Sequence, residues 1–126
     1  MRLETISTDK AAAAIGPYSQ AVRAGELIFC SGQIALDPVS GELVPGDVKA
    51  QTERVMESIA AVLAAAGVGF DNVVKSTIFL VEMGDFAAVN EVYGSRFGDH
   101  KPARSTVAVR SLPRGALVEI EVVAKA

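Results

Sequence analysis

Near the end of the chain, the run Leu117-Val-Glu-Ile-Glu-Val-Val-Ala124 alternates between two kinds of side chain, and this alternation constrains the fold more than any other feature. Successive residues of an extended strand project to opposite faces. Val118, Ile120, Val122 and Ala124 therefore share one face, while Leu117, Glu119, Glu121 and Val123 share the other. The first face requires an apolar cover and the second keeps two carboxylates away from it. A sheet covered on one side only is the architecture that satisfies both.

The cover is legible in two amphipathic segments. Val55, Ile59, Val62, Leu63 and Ala66 recur at helical spacing, with Asp47 placed to cap the start and Gly67 the end. Phe86, Val89, Tyr93 and Phe97 repeat the pattern between Asp85, a candidate cap, and Gly98, a candidate stop. Around them lie strand-like runs. Ala21 to Ala24 and Leu27 to Ser31 flank Gly25-Glu26 as a hairpin, Val73 to Val81 is rich in β-branched residues, and Arg104 to Arg110 precedes a turn with Pro113 and Gly115. A turn-rich connection with two prolines and two glycines spans Asp37 to Gly46. The order strands, helix, strand, helix, strands predicts an α+β fold, with two helices gathered on one face of a mixed sheet. The bare face of so apolar a chain is best buried against copies of itself, so a homo-oligomer is expected.

The 126 residues fit one domain covering 1–126, and neither a linker nor a repeat interrupts them. Half are hydrophobic and 21% are charged, a globular balance. A net charge of -3, from 12 basic and 15 acidic residues, gives no broad positive field and disfavours nucleic acid as a partner. Met1 to Lys10 mix both signs of charge without an apolar run, so neither a signal peptide nor an anchor is expected and the location reads as cytoplasmic. Cys30 is the single cysteine and His100 the single histidine, too few ligands for the usual zinc sets. Cys30 reads as a buried strand residue and His100, between Asp99 and Lys101, as a solvated loop residue. No P-loop, dinucleotide fingerprint or Gly-x-Ser-x-Gly elbow is present, so no cofactor is called for.

Candidate chemistry concentrates at the last two strands. Assigning Val107 and Val109 to the core sends Arg104, Thr106 and Ala108 to the opposite side, the face class of Glu119. Arg104 then reads either as a bidentate anchor for a small organic acid or as half of a structural ion pair with one of the glutamates. Glu119 and Glu121, taken alone, read as solvated carboxylates. Ile15-Gly-Pro-Tyr-Ser-Gln20 and Cys30-Ser-Gly-Gln33 set small residues beside hydrogen-bonding side chains, which suits close approach of a ligand and equally suits ordinary turns.

Taken together, Ile15-Gly-Pro-Tyr18, Ser31-Gly-Gln33, the Asp37 to Gly41 turn, Val74-Lys75, Phe86 to Asn90, Pro102-Ala-Arg-Ser105, Val107, Leu112-Pro113 and Val118-Glu-Ile-Glu121 resemble the YjgF/Rid family, also known as L-PSP endoribonucleases or translation inhibitors. The likeness extends over nearly the whole chain. It implies a chorismate-mutase-like α+β fold, a homotrimer with clefts between subunits, and a cofactor-free deaminase. Such an enzyme hydrolyses 2-imino or enamine acids, released by pyridoxal-phosphate enzymes, to 2-keto acids and ammonia. It further implies that Arg104 binds the substrate carboxylate and Glu119 activates water, while Tyr18, Ser31, Gly32 and Asn90 line the cleft. Thr106 stands where many deaminase members carry Cys, and the loop before Pro102 is short. Both departures bear on the substrate side chain. Two rival readings are an RNA-cleaving enzyme, which the acidic balance and single histidine disfavour, and a non-catalytic metabolite-binding module, which would need Arg104 but not Glu119.

Overall fold

The computed structural model describes residues 2–126, so Met1 lies outside it. The strands are β1 (Leu3–Ile6), β2 (Ala21–Ala24), β3 (Leu27–Cys30), β4 (Val73–Leu80), β5 (Ala103–Ala108) and β6 (Val118–Lys125). The helices are α1 (Val48–Ala65) and α2 (Phe86–Gly94). The strands form one mixed sheet in the order β1-β2-β3-β6-β4-β5, antiparallel throughout except for the β4–β5 pair. A parallel pair cannot be joined by a tight turn, and α2 supplies the crossover between β4 and β5. In the same way α1 carries the chain from β3 to β4, leaving a gap that β6 enters from the far end of the sequence. The α+β layout read from the sequence is the one observed.

Local chemistry accounts for the elements. Gly25, at φ 64°, turns the β2–β3 hairpin, whose register pairs Ala24 with Leu27. Asp47 caps α1, its side chain accepting from the Ala50 amide, and Gly67 at φ 81° follows the helix's end. α2 differs from expectation at both ends. Asp85 makes no side-chain cap, because a 3-10 turn at Met83–Asp85, held by Glu82 accepting from Gly84, leads directly into the helix. The helix stops at Gly94 rather than near Gly98, though Phe97 remains buried in the turns beyond it. β1 had no signal in the sequence: four residues with one buried side chain, Ile6, offer too little pattern.

One hydrophobic cluster lies between the helices and the sheet. Met56, Ile59, Val62 and Leu63 of α1 and Val89 of α2 close over Ile28, Ile78, Leu80, Val118, Ile120 and Val122. Each such side chain contributes about 2 kcal/mol when fully buried. The other face is open. Phe29, 47% exposed, pairs with Val123 on it, and Phe79 lies beside Glu119. Among the described residues, no helix is long and apolar enough to cross a membrane.

Candidate functional site

Register corrects the sequence reading of β5. In neighbouring strands, paired residues project to the same face. Arg104 pairs with Ser76 and Thr106 with Ile78, both fully buried toward the helices. Arg104 and Thr106 therefore face α2, and Ser105 and Val107 face the open side, where Val107 is 41% exposed. The face assignment was inverted because an edge strand has one neighbour to bury its apolar residues against, so valines there are no guide to the core. Arg104 and Glu119 of one chain thus lie on opposite sides of the sheet.

On the helix side Arg104 is held in one direction. Its guanidinium carbon sits 5.1 Å from the centre of the Tyr93 ring and 5.5 Å from that of Phe86. Its Nη1 donates to Asn90 Oδ1 at 2.6 Å. No carboxylate pairs with it among the described residues, so the structural ion pair is absent. Tyr93 is anchored in turn, donating from its hydroxyl to Ser76 Oγ at 2.9 Å. A cavity of about 480 Å³ opens beside Arg104, lined by Asn90, Tyr93, Phe97, His100, Lys101 and Pro102. His100 is no solvated loop residue: its Nε2 lies 2.6 Å from the Val73 carbonyl, which only accepts, so this nitrogen carries the proton and closes the loop onto β4. The Thr106 hydroxyl is buried without a partner among the described residues.

On the open side Glu119 lies over Gly32. A Cβ built on Gly32 would reach 2.9 Å from Glu119 Cδ and closer still to Oε2, so the absent side chain is what seats the carboxylate. The adjoining cavity, about 330 Å³, is lined by Tyr18, Gly32, Gln33, Arg114 and Glu119, with Ala12 and Ala13 among its other walls. Burial, and then the neighbouring Glu121, push the Glu119 carboxyl above its ordinary range. Ser31 is committed to the framework, donating to the Ser19 carbonyl at 2.6 Å, whereas Tyr18 is exposed. Arg114 adopts a left-handed backbone (φ 63°) and donates to the Gly41 carbonyl at 3.2 Å, tying the Asp37 to Gly46 connection to this rim. Nothing in its sequence neighbourhood marked it beyond the Pro and Gly on either side. Cys30 is buried, as expected, and burial raises its thiol to about 11.

A family model described as Endoribonuclease L-PSP matches residues 8–126. The chain belongs to this family. Among similar proteins, Protein DfrA of Myxococcus xanthus is 58% identical over 126 residues, covering 98% of this chain and 96% of that protein. The 2-iminobutanoate/2-iminopropanoate deaminase of Mus musculus is 50% identical over 121 residues, covering 96% and 90%. The crystal structure of E. coli TdcF with bound serine superposes with a TM-score of 0.92 at 40% identity, covering 98% of each chain. Membership of the L-PSP family agrees with the resemblance read from the sequence motifs.

Proposed function

We propose that this chain is an imine deaminase, a hydrolase converting small 2-imino or enamine acids such as 2-iminobutanoate and 2-iminopropanoate to 2-keto acids and ammonia. The observation that carries the reading is Arg104, a guanidinium aimed by two rings and one amide yet matched to no carboxylate among the described residues. Such a fork suits a substrate carboxylate. The naming of the mouse relative as a deaminase and the serine held by TdcF support a small amino-acid-derived ligand.

Because Arg104 and Glu119 face opposite sides of one sheet, a single protomer does not bring them together. We assign the site to clefts between protomers of a homotrimer, with Arg104, Asn90 and Thr106 from one copy and Tyr18, Ser31, Gly32 and Glu119 from the next. Arg104 fixes the carboxylate of the protonated imine, and Glu119 holds a water at C2. The water oxygen bonds to C2, the C2=N electron pair moves to nitrogen, and one water proton passes to Glu119. Glu119 returns that proton to nitrogen, the C2–N bond breaks to release ammonia, and the remaining hydroxyl proton leaves through Glu119 as the ketone forms. The net reaction is iminium plus water to keto acid plus ammonium. Burial suits Glu119 to the task, since a carboxyl with a raised pKa holds an accepted proton more readily than an ordinary carboxylate does and can hand it on to nitrogen. Most of the acceleration comes from alignment of water and C2.

Added to a dehydratase reaction, the protein is expected to speed decay of the transient imine absorbance, and Arg104→Ala to abolish the effect. Unchanged decay with imines from several amino acids would overturn the proposal.

A further inference from the structure

The cavity beside Arg104 offers more positive charge than a single carboxylate requires. Arg104 and Lys101 both line it, and no Asp or Glu does so among the described residues. Asn90, which accepts from Arg104 through its Oδ1, keeps its N–H groups to donate. The rest of the wall is mainly apolar, from Tyr93, Phe97 and Pro102. Lys101 has no ion-pair partner among the described residues, and its backbone is constrained on both sides. Before it, His100 donates to the Val73 carbonyl at 2.6 Å and ties the short loop to β4. After it, Pro102 restricts Lys101 to extended backbone angles. The base of a long, flexible stem is thereby fixed at the cavity.

Lys101 and Arg104 are three positions apart, so their Cα atoms lie within about 11 Å of each other. Two cations at that spacing on one cavity of about 480 Å³ fit a ligand with an acid group at each end. An imino acid with a methyl or ethyl side chain would engage Arg104 alone. We propose that the site also takes 2-imino dicarboxylic acids, those derived from aspartate and glutamate, and that Lys101 is the residue that selects them. This inference rests on the deaminase reading and names a further substrate class for the same site. The C1 carboxylate lies on Arg104, the side-chain methylenes against the wall of Phe97 and Pro102, and the terminal carboxylate at the Lys101 ammonium. The chemistry at C2 is the same. A lysine is a compact point charge on a flexible stem, so it accommodates side chains of one or two methylenes. Because Lys101 is exposed, the selection it gives is modest and sensitive to salt.

The test compares 2-iminoglutarate with 2-iminobutanoate in the imine-decay assay, using the full-length protein, Lys101→Met and Lys101→Arg. The ratio of kcat/KM for the dicarboxylic imine to that for the monocarboxylic one is expected to fall about fivefold in Lys101→Met, through KM, and to be kept in Lys101→Arg. Raising the ionic strength should lower the wild-type ratio toward that of Lys101→Met. A second arm needs no turnover: calorimetric titration with 2-oxoglutarate and 2-oxobutanoate should show wild type favouring the dicarboxylate about fivefold and Lys101→Met losing that preference. Equal binding of the two keto acids by wild type, or a ratio that survives Lys101→Met, would overturn the role of Lys101. So would faster decay of 2-iminobutanoate alone, which would leave the deaminase reading intact. That reading fails separately, if wild type speeds the decay of neither imine; the titration then still decides whether Lys101 anchors a second carboxylate.

Discussion

At Gly32 the absence of a side chain performs a function that no hydrogen-bond inventory would reveal. Its backbone angles are open to any residue, so Gly32→Ala is expected to fold normally, yet the new methyl would occupy the space of the Glu119 carboxylate. A displacement near 1 Å costs about 100-fold in rate, so kcat for imine decay should fall between about tenfold and 100-fold. Retention of full activity would show that the carboxylate is not held by this contact. Glu119 itself carries a pH signature. Burial first and Glu121 second raise its carboxyl above the ordinary value of 4.5, so above that value the folded chain binds more protons here than the unfolded chain does. The stabilising contribution is therefore fullest below pH 4.5 and declines as pH rises through the native value. Glu119→Gln removes the titration: its melting temperature should equal wild type in acid and exceed it progressively toward neutrality, while activity is lost. A constant offset across a pH series of melting curves would contradict the assignment. The sequence motif located Gly32 and Glu119 separately; that one seats the other is a fact of close approach between β6 and the segment after β3, far apart in the chain.

Among the elements, α1 and β6 were the most legible because each has many buried positions at a regular period and a distinct boundary. Asp47 marked the start of α1 correctly, and Asp47→Ala is expected to cost about 1 kcal/mol, lowering the melting temperature by about 4 °C and leaving kcat unchanged. A thermal melt paired with an activity measurement separates this cap from the site. β5 was found as a strand but with its faces exchanged, and the reason is physical. Its position at the sheet edge, paired only with β4, leaves Val107 in the open while Arg104 stacks against α2. Alternation gives the period of a strand and is silent on its phase where both faces carry mixed residues. β1 was missed for want of length, and the end of α2 was overrun because Phe97 stays buried after the helix has turned away.

For the molecule as a whole, the open face of the sheet is the surface that most needs a partner. Phe29, Phe79, Val107 and Val123 are set there among Glu119 and Glu121, apolar enough to associate and polar enough to remain specific. Phe29→Asp should dissociate the proposed homotrimer in size-exclusion chromatography and abolish imine decay together; a dissociated yet active protein would place the whole reaction within one chain. The separation of Arg104 and Glu119 by the thickness of a sheet also allows genetic complementation. In the proposed homotrimer, Arg104→Ala and Glu119→Gln proteins, each inert alone, would recover function when refolded as hybrids, because about a quarter of the clefts would then unite an intact arginine with an intact glutamate.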